Sequence, residues 1–93
     1  MKFTAGQAVK IPCAIGPGAF SGESLVTIEV EGERVTGFVK REFLLDDAVL
    51  GTIVEVGPDS VTMKVPGSFF TRASGRTTVP FGWANAHLQP APA

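Results

Sequence analysis

Two side chains in this 93-residue chain carry the chemistry of a nucleophile and a base, Cys13 and His87, and each residue type occurs once. A nucleophilic pair needs the base hydrogen-bonded to the nucleophile and oriented by a third group, usually an acid. No acid lies near His87 in the sequence, because every Asp and Glu falls at or before Asp59. Cys13 alternates with Val9 and Ile11 on the apolar side of a strand pattern, which predicts a buried structural thiol. One cysteine and one histidine also fall short of the four ligands of a structural zinc site. Glu29, Glu31 and Glu33 recur at spacing two around a hairpin, and nothing apolar interleaves them on their own face. Without a desolvated member they read as a solvated rim, not as an acid–base pair. The expectation is a chain that is not an enzyme, with no catalytic residue, no metal and no cofactor.

Residues 68–76 form the strongest candidate binding stretch. Phe69 and Phe70 are adjacent, so on a strand they cannot both point inward, and Arg72 and Arg76 follow. Aromatic faces stack on bases and guanidinium groups pair with phosphates, which makes Phe69, Phe70, Arg72 and Arg76 a candidate site for single-stranded nucleic acid. Two arginines are few for such a surface. The competing expectation places one phenylalanine in the mouth of the domain and the other in a contact between protein copies. Gly16, Pro17 and Gly18 are turn-formers, but no Gly-Lys-Ser/Thr leads into a helix after them, as a phosphate loop requires.

With 44% apolar and 18% charged residues the chain is globular, and its length suits one domain. A net charge of −1 supplies no global field toward nucleic acid or anionic lipid. The charges are uneven: all nine acids precede residue 60, whereas Lys64, Arg72 and Arg76 beyond it face none. A solvated surface of varying sign and an anion-facing second half both fit that pattern. The single cysteine, the absence of a secretion-signal pattern and the lack of any long apolar run predict a cytoplasmic protein with no membrane span.

The elements that must position these residues read as strands. Val9, Ile11 and Cys13 alternate with Lys10, and Pro12 puts that strand at an edge or a bulge. Val26, Ile28 and Val30 oppose Thr27, Glu29 and Glu31, and Val35, Gly37 and Val39 continue the apolar face, a hairpin with Gly32 at its tip. Asp46 and Asp47 are set to cap a single helical turn over residues 48–50. Strands follow over 53–56 and 61–65, then a last strand over 77–81, a turn over 82–86 and a Pro/Ala tail over 89–93. The expected interior is Val9, Ile11, Val26, Ile28, Val30, Val39, Leu44, Val54, Val61, Met63, Val65, Val79, Trp83 and Leu88.

Two phrases, GFVKREFL from Gly37 to Leu44 and FGWANAHL from Phe81 to Leu88, have the same form. A β-branched run leads into Gly plus an aromatic, polar residues follow, and Leu closes. The phrases resemble the end of SH3-like barrels, in which a strand passes through a 3₁₀ turn into a last strand. The resemblance implies a small, strongly bent antiparallel barrel that binds peptides, cell-wall fragments, nucleic acid or other subunits, and it leaves related barrels such as the OB type open. With no Tyr and a single Trp, the proline-peptide site of eukaryotic SH3 domains is not carried over. The halves 1–46 and 47–88 share an order of features with drifting spacing, which fits either a degenerate repeat or a coincidence of β composition. The expectation is therefore an all-β domain over 1–88, a small antiparallel barrel of seven or eight strands with helix limited to single turns. Its expected role is a non-catalytic, self-associating protein-interaction module whose partner is a second copy or another protein. The alternative is a small barrel that binds single-stranded nucleic acid.

Overall fold

The computed structural model describes residues 2–17, 22–69 and 76–91, with the backbone alone at Ser68–Phe69. In chain order these hold β1 (Ala8–Pro12), β2 (Ala14–Pro17), β3 (Glu23–Val30), β4 (Glu33–Lys40), a 3₁₀ turn (Arg41–Phe43), β5 (Leu44–Leu45) and β6 (Ala48–Val56). Then come β7 (Ser60–Lys64), β8 (Ser68–Phe69), β9 (Arg76–Pro80), helix α1 (Phe81–His87) and β10 (Gln89–Pro90). The protein is all-β in class, and every strand pairing among the described residues is antiparallel.

Two sheets result, one ordered β10-β1-β6-β7-β9 with β5 also on β6, the other β2-β3-β4-β8. Neither sheet closes into a barrel. Among the described residues the chain crosses between sheets at Cys13, at the 3₁₀ turn and at Val65–Gly67. Val9, Ile11, Val49, Ile53, Val61, Met63 and Val79 from the first sheet meet Val26, Ile28, Val35 and Val39 from the second in one core cluster. Most are β-branched, which suits the pleated surface, and each fully buried side chain contributes about 1.5–3 kcal/mol relative to exposure.

The two halves of the chain are interleaved. β5 pairs with β6 and β10 with β1, so the closing strand of each half lies beside the opening strand of the other. β1 and β6 are themselves paired, Val9 opposite Gly51 and Ile11 opposite Val49.

Several expectations change. Ten strands are present among the described residues, three of them two residues long, against the seven or eight expected. Residues 48–50 are strand and not a helical turn, because Asp46 and Asp47 form the tip of the β5–β6 hairpin and Asp46 takes a positive φ of 56°. Ile53 continues the inward alternation of Val49 and Gly51 and is fully buried; the bulge after it, between Ile53 and Glu55, leaves Val54 half-buried where the sequence pattern predicts it inside. Gly16 and Pro17 belong to β2, paired with Leu25 and Ser24. Gln89 and Pro90, assigned from composition to the tail, are paired with Lys10 and Val9 of β1. The turn expected over 82–86 is a seven-residue helix: Ala84 and Ala86 favour it, and Phe81, Ala84 and Leu88 share the face that packs on the core. Trp83, Val30 and Leu44 are consequently half-buried at the margin of the core and not inside it.

Two turns give opposite mutational expectations. Glu31 (φ 49°) and Gly32 (φ 84°) are the centre of the two-residue β3–β4 loop, a geometry that prefers Asn-Gly. Glu31→Asn should raise stability in urea unfolding by about 0.5 kcal/mol. Gly67 sits at φ 100°, and a Cβ there would collide with the Phe38 carbonyl. Gly67→Ala should cost at least about 2 kcal/mol, by strain and by forcing β8 off β4.

Candidate functional site

The chain leaves the first sheet at Pro12, and the crossing at Cys13 opens a gap between the end of β1 and helix α1. The gap is a groove of about 560 Å³. One wall is Pro12, Cys13 and Ala14; the floor is the outer face of β3 and β4, with Thr27, Glu29 and Arg34; the other wall is Trp83 and His87. Glu29 and Arg34 are register partners across the two strands, so the groove carries a local pair of opposite charges. Thr27 and its partner Thr36 place their hydroxyls 3.5 Å apart beside them.

Helix α1 determines what the groove presents. Phe81, Ala84 and Leu88 face the core, and Phe81 lies 6.2 Å from Phe3, ring centre to ring centre. Trp83 and His87, four residues apart on the remaining face, stack at 4.7 Å and 25°. His87 Nδ1 lies 3.0 Å from the Trp83 carbonyl. A carbonyl only accepts, so Nδ1 carries a proton and donates it, which fixes the ring over the indole.

The groove thus gathers the two residues with nucleophile and base chemistry that sequence reasoning kept apart. Their surroundings do not join them. Cys13 is half-buried, its Sγ lies 3.8 Å from the Asp47 carbonyl, and no hydrogen bond links it to His87. Burial first, and the Asp47 charge second, push the thiol up from its ordinary 9.0 to about 11. Near neutral pH it is a thiol, and the nucleophile in such chemistry is the thiolate. Among the described residues no three His, Cys, Asp or Glu side chains gather as a metal site. No helix among the described residues is long and apolar enough to cross a membrane.

The expected site over residues 68–76 is only partly visible. Phe70 and Arg72 lie outside the described residues, and of Phe69 the backbone is described, paired with Gly37. Arg76 is exposed at the start of β9, opposite Lys64. The groove is not legible in a sequence that reads residues 82–86 as a turn, because a turn does not place Trp83 and His87 on one face. At helical spacing the pair would have shown as one face, with Gly82-Trp83-Ala84-Asn85-Ala86 bounded by Pro80 as the available signal. Comparison of the chain with protein-family models, with curated proteins and with solved structures returns no match.

The raised thiol has a consequence for stability. Between pH 9.0 and about 11 the unfolded chain loses the Cys13 proton while the folded chain keeps it, so folding stability should fall across that window. Urea unfolding as a function of pH should show the decline in the wild type, and Cys13→Ala should flatten it. An unchanged slope in the variant would assign the decline elsewhere.

Proposed function

We propose that the chain is a non-catalytic protein-interaction module, a small SH3-like β domain that self-associates and takes a partner segment in the groove between α1 and the β3–β4 face. The groove carries the reading. It offers a stacked Trp83–His87 surface, hydroxyl groups and one charge of each sign, all of them recognition chemistry. A half-buried thiol whose pKa is raised to about 11 is not an activated nucleophile near neutral pH, which supports a binding role over a catalytic one. The sheet crossings and the 3₁₀ turn before β5 support the SH3-like assignment, since that turn lies inside the phrase that carries the resemblance. Self-association is supported by Ile15, Phe43 and Val56, large apolar residues left exposed. It is supported also by β2, an edge strand paired on one side only among the described residues.

A second reading, single-stranded nucleic acid, is favoured by one observation. Lys64 and Arg76 are exposed register partners on β7 and β9, two basic side chains side by side on one strand pair.

Trp83 is the single tryptophan, so its emission reports on the groove. A peptide selected from a random library on the folded protein should shift that emission on titration. Trp83→Ala and Arg34→Ala should each weaken the peptide by about tenfold or more. Selected peptides that bind both variants as tightly as the wild type would remove the groove from the account. Oligonucleotides that bind at low salt and are lost on Lys64→Ala would favour the second reading instead.

A further inference from the structure

We propose that the chain self-associates by exchanging its halves, residues 2–45 of one copy packing on residues 48–91 of a second, with the Asp46–Asp47 turn opened into extended strand. The inference rests on the self-association named above and specifies its geometry and its effect on the groove.

Covalently, the halves are joined by two residues. Leu45 and Ala48 are the last register pair of the β5–β6 hairpin, and Asp46 and Asp47 reverse the chain between them. Two-residue hairpins favour Asn-Gly, Asp-Gly or Gly-Gly; Asp46 holds φ 56° at the first of the two positions, but Asp47 stands where the favoured pairs have glycine. Short hinge turns under strain favour exchange between copies. Both flanks are already strand, so opening the turn makes 44–56 one continuous strand without melting any element.

The contacts between halves survive this change. β1 on β6, β10 on β1, β5 on β6 and β4 on β8 are all made between the first half and the second. Each ladder is formed equally well when its two strands come from different chains. What closes the turn within one chain is slight by comparison. Lys10 Nζ lies 3.8 Å from Asp46 Oδ2, a carboxylate 80% exposed, and the Cys13 N–H donates to the Asp47 carbonyl at 3.1 Å. An exposed pair of this kind is screened by salt and contributes little.

The groove makes the exchange functional. Cys13, Thr27 and Arg34 belong to the first half, whereas Trp83 and His87 belong to the second. In the exchanged dimer each groove is therefore built from two chains, and the assembly carries two grooves. A partner with two copies of the recognised segment gains from that arrangement through effective concentration.

The test uses Ala8 and Thr52, directly opposed across β1 and β6 and both exposed. In a Cys13→Ser background, chains with Ala8→Cys and chains with Thr52→Cys are refolded together at high concentration and oxidised. Exchange predicts a covalent heterodimer on a non-reducing gel, a band several-fold weaker when both chains also carry Asp46→Gly. Deleting Asp46 and Asp47 should turn the entire folded population, followed by circular dichroism, into dimer. A dimeric mass by light scattering with no cross-linked band contradicts exchange but leaves self-association standing through another surface. A single-chain mass at every concentration, with no cross-link, removes both.

Discussion

The ladder between β1 and β6 is the contact on which the molecule depends. It runs over five register pairs at the centre of the first sheet, and Val9, Ile11 and Val49 on it are fully buried. Every other strand of that sheet is fixed to one of these two, or to β7, which β6 holds in turn. Remove the ladder and each half keeps one meander with an uncovered apolar face. A meander of this size buries too little surface to stand alone. The second sheet follows the same dependence, since β3 and β4 cover their inner faces only by packing on residues that the ladder holds in place.

The groove is a by-product of that arrangement. Pro12, opposite Ala48, is the last residue of β1, and the chain leaves for the other sheet at Cys13. This crossing creates the wall of the groove and half-buries the thiol beside Asp47, which accounts for its raised pKa. On the far side, α1 is seated by Ala84 and Leu88 in the core, and the 3.6-residue period then leaves no choice but to turn Trp83 and His87 outward together. Because one wall comes from each half, the groove exists only when the halves are joined, in one chain or between two.

The sequence made the fold class legible because alternation is a strong signal where one face is buried. Val26, Ile28, Val35 and Val39, and Val61, Met63 and Val79, all face inward as their spacing predicts. It failed where the period was broken or short. Ile53-Val54 are both β-branched, and nothing in the residue types marks the bulge after Ile53 at which the inward alternation from Val49 and Gly51 stops. Phe3, fully outside any alternating run, is buried by its contact with α1, a tertiary effect. The helix was hidden because seven residues with Gly82 inside give a weak local preference, and packing of Phe81, Ala84 and Leu88 supplies what propensity lacks. With the helix hidden in the sequence, the pairing of Trp83 with His87 is hidden too, and the two adjacent phenylalanines within residues 68–76 are the more conspicuous signal.

Native-state hydrogen exchange, read residue by residue in the wild-type protein, tests the central dependence most directly. If the halves are held together by the β1–β6 ladder, the amides of Val9, Ile11, Val49 and Ile53 should be the slowest to exchange and should open only with global unfolding, together with those of β3 and β4. Protection of the β3–β4 hairpin that persists after β1 and β6 have exchanged would show a half that stands by itself, and would contradict it.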